Sequence, residues 1–108
     1  MININAIVAK EVVPGFWARF VHADSMTLAY WEVKKGSSIP LHKHIHEQVM
    51  QVHEGEFEFT VNGETRVYTP GMAVVIPSMT EHGGTALTDC KLFDVFSPVR
   101  EDYKAFAT

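Results

Sequence analysis

Turn signals recur every several residues along this chain, and they limit what can form between them. "PG" stands at 14–15, "KKGS" at 34–37, "EGE" at 54–56, "NG" at 62–63, "TPG" at 69–71 and "GG" at 83–84. The intervening runs are short and rich in Val, Ile, Phe, Tyr and Thr, a spacing that suits an all-β sandwich or barrel. In "FEFTVNGETRVY", Phe57, Phe59 and Val61 alternate with Glu56, Glu58 and Thr60, so one face is apolar and the other wet. Asn62-Gly63 accepts the positive φ angles of a type I′ hairpin, and Pro70-Gly71 suits a type II turn. "MAVVI" (72–76) is apolar on both faces and reads as a central, buried strand. "SMTLAYWEV" (25–33) is also bulky on both faces; one face would line a barrel and the other would be covered by a second protomer. Helix is scarce. The candidate is the tail "SPVREDYKAFA", with Ser97 as N-cap, Pro98 as first helical residue, and Val99, Tyr103 and Phe106 on one face.

Composition removes several classes of function. At 108 residues the chain is read as one domain, 1–108, and its 46% hydrophobic content is that of a folded one. No apolar run is long enough to cross a bilayer, and the start lacks the layout of a signal peptide. A lone cysteine, Cys90, fits a reducing compartment, so a cytoplasmic location is expected. A net charge of −4 with no Lys/Arg cluster argues against nucleic acid and against an anionic membrane surface. A small molecule or a protein remains as partner.

The stretch "GSSIPLHKHIHEQVMQVHEG" (36–55) holds four of the six histidines. Residues i and i+2 of a strand point to the same side, roughly 7 Å apart, so His42 and His44 can aim inward at one ion. Gln48 has the same parity after a bend at "IHE", and His82 can bring a third imidazole from a neighbouring strand. Imidazoles with an amide oxygen suit a divalent transition ion (Zn, Ni, Mn or Fe) rather than Ca or Mg. With no carboxylate among the ligands, the ion keeps its full charge and should attract an anionic ligand. His46 and His53 are read as bystanders, the first in the loop beside the site and the second on the opposite strand face.

These residues resemble the first cupin motif, G-x5-H-x-H-x3,4-E-x6-G, at Gly36, His42, His44, Gln48 and Gly55, with Gln in place of Glu. The second motif, G-x5-P-x-G-x2-H-x3-N, is matched at Gly71, Pro77 and His82, with Met79 replacing its later Gly and Ala86 its Asn. The resemblance implies a double-stranded β-helix (jelly-roll) barrel of six to eight strands with a metal inside. The segment "KLFDVFSPVRED" (91–102) is similar to the end of small bacterial cupins of pectin and alginate breakdown, which convert 4,5-unsaturated monouronates to linear keto acids. Their D-x-F-x3-R signature falls on Asp94, Phe96 and Arg100.

The residues themselves mark Asp94 as unusual. Cys90, Leu92, Asp94 and Phe96 share one strand face, where an unpaired carboxylate would cost several kcal/mol. It is read as a general acid or base, or as the ion-pair partner of Arg100 or Arg19. Arg100 can grip a substrate carboxylate bidentately, and Phe96 offers an apolar wall or stacking face. Cys90 is read as a small buried hydrophobe, and Trp17, Trp31, Phe20 and Phe93 as core or dimer interface. The resulting expectation is a metal-dependent enzyme that opens the ring of a small carboxylated sugar and assembles as a homodimer. The alternatives are a three-histidine Fe(II) dioxygenase and a non-enzymatic ligand-binding or sensory cupin.

Overall fold

The computed structural model describes residues 1–106. Among them are ten strands and two short 3-10 turns. The strands are β1 (Lys10–Val13), β2 (Phe16–His22), β3 (Thr27–Val33), β4 (Ser38–His42), β5 (Glu47–Glu54), β6 (Phe57–Val61), β7 (Glu64–Tyr68), β8 (Ala73–Ile76), β9 (His82–Ala86) and β10 (Cys90–Ser97). They build two sheets, β1-β2-β3-β10-β5-β8 and β4-β9-β6-β7. All pairings are antiparallel. The count exceeds the expected six to eight. No helix among the described residues is long and apolar enough to cross a membrane.

Alternation decides which side chains reach the core. Along β2, Phe16, Ala18 and Phe20 are buried; along β3 it is Thr27, Ala29, Trp31 and Val33; along β10, Cys90, Leu92, Asp94 and Phe96. The six-stranded sheet thus supplies Phe16, and the four-stranded sheet meets it with Phe57, ring edge to face at 6.4 Å. The core cluster joins residues of both sheets, with Tyr103 and Phe106 of the tail packed against it. Trp31 belongs to this core at 7% exposure, whereas Trp17 stays on the outer surface.

The turns follow the residue types. Asn62 (φ 50°) and Gly63 (φ 80°) close the β6–β7 hairpin between Val61 and Glu64. The Met72 N–H donates to the Thr69 carbonyl at 3.0 Å across Pro70-Gly71. "GG" at 83–84 is different: it lies inside β9, not at a turn. A Cβ on Gly83 would stand 2.8 Å from the Ile39 carbonyl oxygen, and one on Gly84 2.5 Å from that of Glu58. These glycines let β4 and β6 close on β9 from both sides.

Two further expectations are corrected. The 72–76 segment is not central: β8 pairs only with β5 and forms the sheet edge. Its inner residue Ile76 is fully buried, but Val75 is 57% exposed, because no layer of this chain covers the outer face of the six-stranded sheet. Pro98 does not open a helix. The Ser97–Pro98 peptide is cis, Ser97 still belongs to β10, and the 3-10 turn covers Asp102–Phe106. Ser97 does not cap it, because its hydroxyl donates to the Ser25 carbonyl at 3.1 Å. Ala107 of the expected helix lies outside the described residues.

Met79 adopts φ 61°, in the left-handed region, with an exposed side chain. A residue with a Cβ is disfavoured there by about 1–2 kcal/mol. Two glycine exchanges should therefore move stability in opposite directions. Met79→Gly should raise the thermal midpoint. Gly84→Ala should lower stability by about 1–3 kcal/mol through overpacking. Thermal denaturation followed by circular dichroism reads both; a less stable Met79→Gly, or a neutral Gly84→Ala, would contradict this account.

Candidate metal centre and the cavity behind it

The pairing of β4 with β9 sets His42 directly opposite His82. A register shift between Ile39 and His42 keeps both of those side chains inward, while Pro40 and Leu41 are exposed. His44 lies just past the end of β4, before the bend at Ile45-His46 that leads into β5. The nitrogen atoms that His42, His44 and His82 can offer lie within 4.8 Å of one another. The rings crowd, with centroids 4.3 Å apart for His42–His82 and 4.8 Å for His44–His82.

Each imidazole is oriented in the same way. Nδ1 of His42 donates to the Pro40 carbonyl at 2.9 Å, that of His44 to the His46 carbonyl at 3.0 Å, and that of His82 to the Thr80 carbonyl at 2.8 Å. In a neutral ring, a proton on Nδ1 leaves Nε2 as a bare lone pair. All three rings therefore present Nε2 as the free donor atom, the arrangement that backing carbonyls give to metal-binding histidines. Nε2 of His82 is buried and makes no hydrogen bond. Burial holds His82 down at about 4, and burial followed by the Arg100 charge also lowers His44, so both are neutral at pH 7.

Gln48, 6% exposed on β5, stands beside them. Its Nε2 donates to Asp94 Oδ1 at 2.9 Å, and this turns Oε1 toward His44 Nε2, 3.2 Å away. With the His44 proton on Nδ1, these two facing atoms are both acceptors. Two lone pairs at that distance repel unless a cation lies against both. The buried, partnerless His82 Nε2 makes the same demand. The donor set therefore fits a divalent transition ion held among imidazole nitrogens and a neutral amide oxygen.

Asp94 sits in the middle of β10, between Ala29 of β3 and Met50 of β5. Burial pushes its carboxyl up to about 7. The Gln48 amide, then the Trp31 indole, whose N–H makes no full hydrogen bond, and the Arg100 charge pull the other way. Asp94 forms no ion pair with either expected arginine. Arg19 bonds the Ile7 carbonyl at 2.8 Å and meets Glu32 at 3.5 Å, while Arg100 is taken by Asp102.

Arg100 is not a solvated tail charge. It is 7% exposed, and its guanidinium lies 4.7 Å over the Phe96 ring and 3.9 Å over that of Tyr103. Phe96, 2% exposed, thus gives one face to Arg100 and meets His44 edge to face at 5.8 Å. A cavity of roughly 70 Å³ joins these groups: His42, His44, His82, Gln48, Asp94 and Arg100 line it together with aromatic and aliphatic walls.

The family described as a cupin domain matches residues 29–96, a span that runs from the middle of β3 to the end of the buried face of β10. The chain belongs to the cupin family. This cupin is 34% identical over 83 residues to the pectin degradation protein KdgF of Dickeya dadantii (strain 3937), covering 75% of this chain and 76% of that one. It is similar to the structure of KdgF from Halomonas sp., with TM-score 0.87 and 34% identity over 94% of each chain. An RmlC-like cupin from Shewanella frigidimarina NCIMB 400 superposes with TM-score 0.91 at 29% identity, covering 95% of this chain and 94% of that one. The all-β jelly-roll expectation and the resemblance to the pectin-breakdown cupins are both carried by these matches.

His46 and His53 fall where the sequence placed them. His46 lies in the loop and contributes its carbonyl to His44, while His53 stacks on Phe93 on the outer face at 5.7 Å. Cys90 is a buried thiol whose Sγ donates to the Glu56 carbonyl at 3.2 Å. Asp102, Tyr103 and Trp31 were not singled out as site residues. Only the parity of Trp31 with Asp94's neighbours on β10, visible once β3 and β10 are paired, would have found one of them.

The two largest titration shifts act in opposite senses. Asp94's folded value, about 7, lies above its ordinary 3.8, so its share of stability is full below pH 4 and is lost as pH rises to 7. His82's folded value, about 4, lies below its ordinary 6.5, so stability is lost as pH falls from 6.5 to 4. In chelator-treated protein, Asp94→Asn should uncover the histidine contribution. Its thermal midpoint should climb more steeply from pH 4 to 7 than that of wild type; parallel profiles would contradict the assignment.

Proposed function

We propose that this cupin is a metal-dependent enzyme that opens the ring of a 4,5-unsaturated uronate, or a close carboxylated relative, to give a linear keto acid. One observation carries the reading. His42, His44, His82 and Gln48, a buried carboxyl (Asp94) and a buried guanidinium (Arg100) all face a single small cavity. The 34% identity to a protein of pectin degradation supports the substrate class.

The four ligand residues would hold Zn, Ni, Mn or Fe(II). When bound, such an ion supplies a fixed positive charge that polarises the substrate's oxygens. Arg100 binds the carboxylate with its planar guanidinium. The reaction is an isomerisation: the C1–O5 bond breaks, the C1 hydroxyl loses a proton, and C4 of the former double bond gains one. Asp94 takes the first proton and returns one to carbon. Its carboxyl, raised by burial to about 7, can serve as both acceptor and donor near neutral pH. No oxidant is consumed.

The test combines metal content with turnover. His42→Ala and His82→Ala should lose the ion by elemental analysis, and Gln48→Ala should bind it more weakly but still detectably. Asp94→Asn should keep its metal and fold, yet open an unsaturated uronate roughly 10²–10⁴-fold more slowly. A metal-replete wild type that leaves unsaturated uronates untouched would sink the proposal. Oxygen consumption by the iron form would replace it with a dioxygenase.

We also infer a homodimer. The outer face of the six-stranded sheet carries Trp17, Tyr30, Phe93, Val49 and Val75, all exposed or half-exposed in the monomer. Tyr30 and Phe93 pack there with tilted rings, centroids 4.9 Å apart. Covering this face with a second copy would remove it from water. Light scattering should give twice the monomer mass, and a monomer at micromolar concentration would overturn the assignment.

A further inference from the structure

The search for polar groups that the proposed chemistry leaves unexplained leads to Asp102. It opens the 3-10 turn Asp102–Phe106, and its side chain is 59% exposed. Yet it makes the most directed ion pair of the site. Arg100 Nε donates to Asp102 Oδ1 at 3.0 Å, and Arg100 Nη2 donates to Oδ2 at 2.9 Å.

A guanidinium offers two edges to a carboxylate: Nε with Nη2, and Nη1 with Nη2. Asp102 takes the first edge completely. Nη1, on the second, has no hydrogen-bond partner among the described residues. The Phe96 and Tyr103 rings also pack against the guanidinium, with centroids 4.7 Å and 3.9 Å from its central carbon. The backbone is pinned too, since the Arg100 N–H donates to the fully buried Thr27 hydroxyl at 2.9 Å. Four separate contacts thus fix one side chain and leave one edge open, and Arg100 lines the same cavity as the imidazoles.

We propose that Asp102 is a positioning residue. It holds the Nε/Nη2 edge of Arg100 so that the Nη1/Nη2 edge stays turned toward the carboxylate of a bound uronate. The assignment rests on the proposed function for the identity of that ligand, but not for the geometry. Lysine could not replace this arginine, because an ammonium has no second edge to present. Asp102 lies outside the Asp-x-Phe-x3-Arg pattern of Asp94, Phe96 and Arg100, and touches neither the imidazoles nor Asp94 by hydrogen bond.

The experiment uses the metal-loaded full chain. Calorimetric titration with D-galacturonate, which has the carboxylate but no double bond, is compared with D-galactose, which lacks the carboxylate. Asp102→Ala should weaken D-galacturonate binding about tenfold, the scale of one lost charge-assisted contact, without changing the response to D-galactose. Turnover of the unsaturated uronate should show the loss mainly in KM, with kcat altered much less. Asp102→Glu should recover most of the affinity. In an Arg100→Lys background, Asp102→Ala should cause no further loss. Unchanged metal content and far-UV circular dichroism exclude a folding defect.

Nitrogen-15 NMR supplies a readout independent of any ligand. The Arg100 Nε–Hε signal should be protected from exchange in wild type and lost in Asp102→Ala. Equal or tighter D-galacturonate binding by Asp102→Ala would overturn the proposal and make Asp102 a competitor for the guanidinium. A loss that persists in the Arg100→Lys background would also overturn it. If wild type neither binds D-galacturonate nor opens an unsaturated uronate, the proposed function falls. The NMR signal then decides the positioning role alone: loss on substitution upholds it, and no change refutes it.

Discussion

The centre of this molecule depends on how closely β4 and β6 approach β9. Backbone atoms of Ile39 and Pro40 come within 2.8 Å of where a Cβ on Gly83 would be, and the Glu58 carbonyl oxygen within 2.5 Å of that of Gly84. With any side chain at these positions the three strands would separate, and His42 would no longer stand across from His82. The imidazoles are rigid rings on short stems, so a shift of the strands cannot be absorbed by the side chains. The geometry of the imidazole cluster is thus set by backbone packing at the two residues that follow His82.

Electrostatics then follows from burial. The cavity is walled by aromatic and aliphatic side chains, so its few polar groups act in a low-dielectric space where each has a strong effect. Burial keeps His44 and His82 neutral, and the backbone carbonyl that accepts from each Nδ1–H fixes the tautomer that leaves Nε2 bare. Gln48 links the two halves of the site, donating to Asp94 and turning its oxygen toward His44. A carboxylate at position 48, as the general motif has it, could not donate in this way while ionised. The Gln therefore links the imidazole cluster to Asp94 through one side chain.

Particular residues show how far pattern reasoning reaches. Phe57, Phe59 and the Asn62-Gly63 hairpin formed as the alternation and turn chemistry required, because both signals are local. The parity of Leu92, Asp94 and Phe96 placed a carboxyl in the core correctly. The reading of 72–76 as a central strand failed for a non-local reason. An apolar strand with two apolar faces looks alike whether or not a neighbour covers it, and β8 has none on its outer side. Gly83-Gly84 failed similarly, since glycine serves close strand approach as well as turns.

The sequence by itself determined the all-β class, the two histidine motifs, and the strand parity of Gln48 and Asp94. Periods of two residues and short-range turn preferences are properties of the local chain. Only the tertiary structure decided that Arg100 faces Asp102 rather than Asp94, that Asp94 bonds Gln48, and that Met79 holds a left-handed conformation with its N–H donating to the His44 carbonyl at 2.8 Å. Partner choice among charges depends on which chain segments pack together and how deeply. That is fixed when two sheets close over one core, and no local period encodes it.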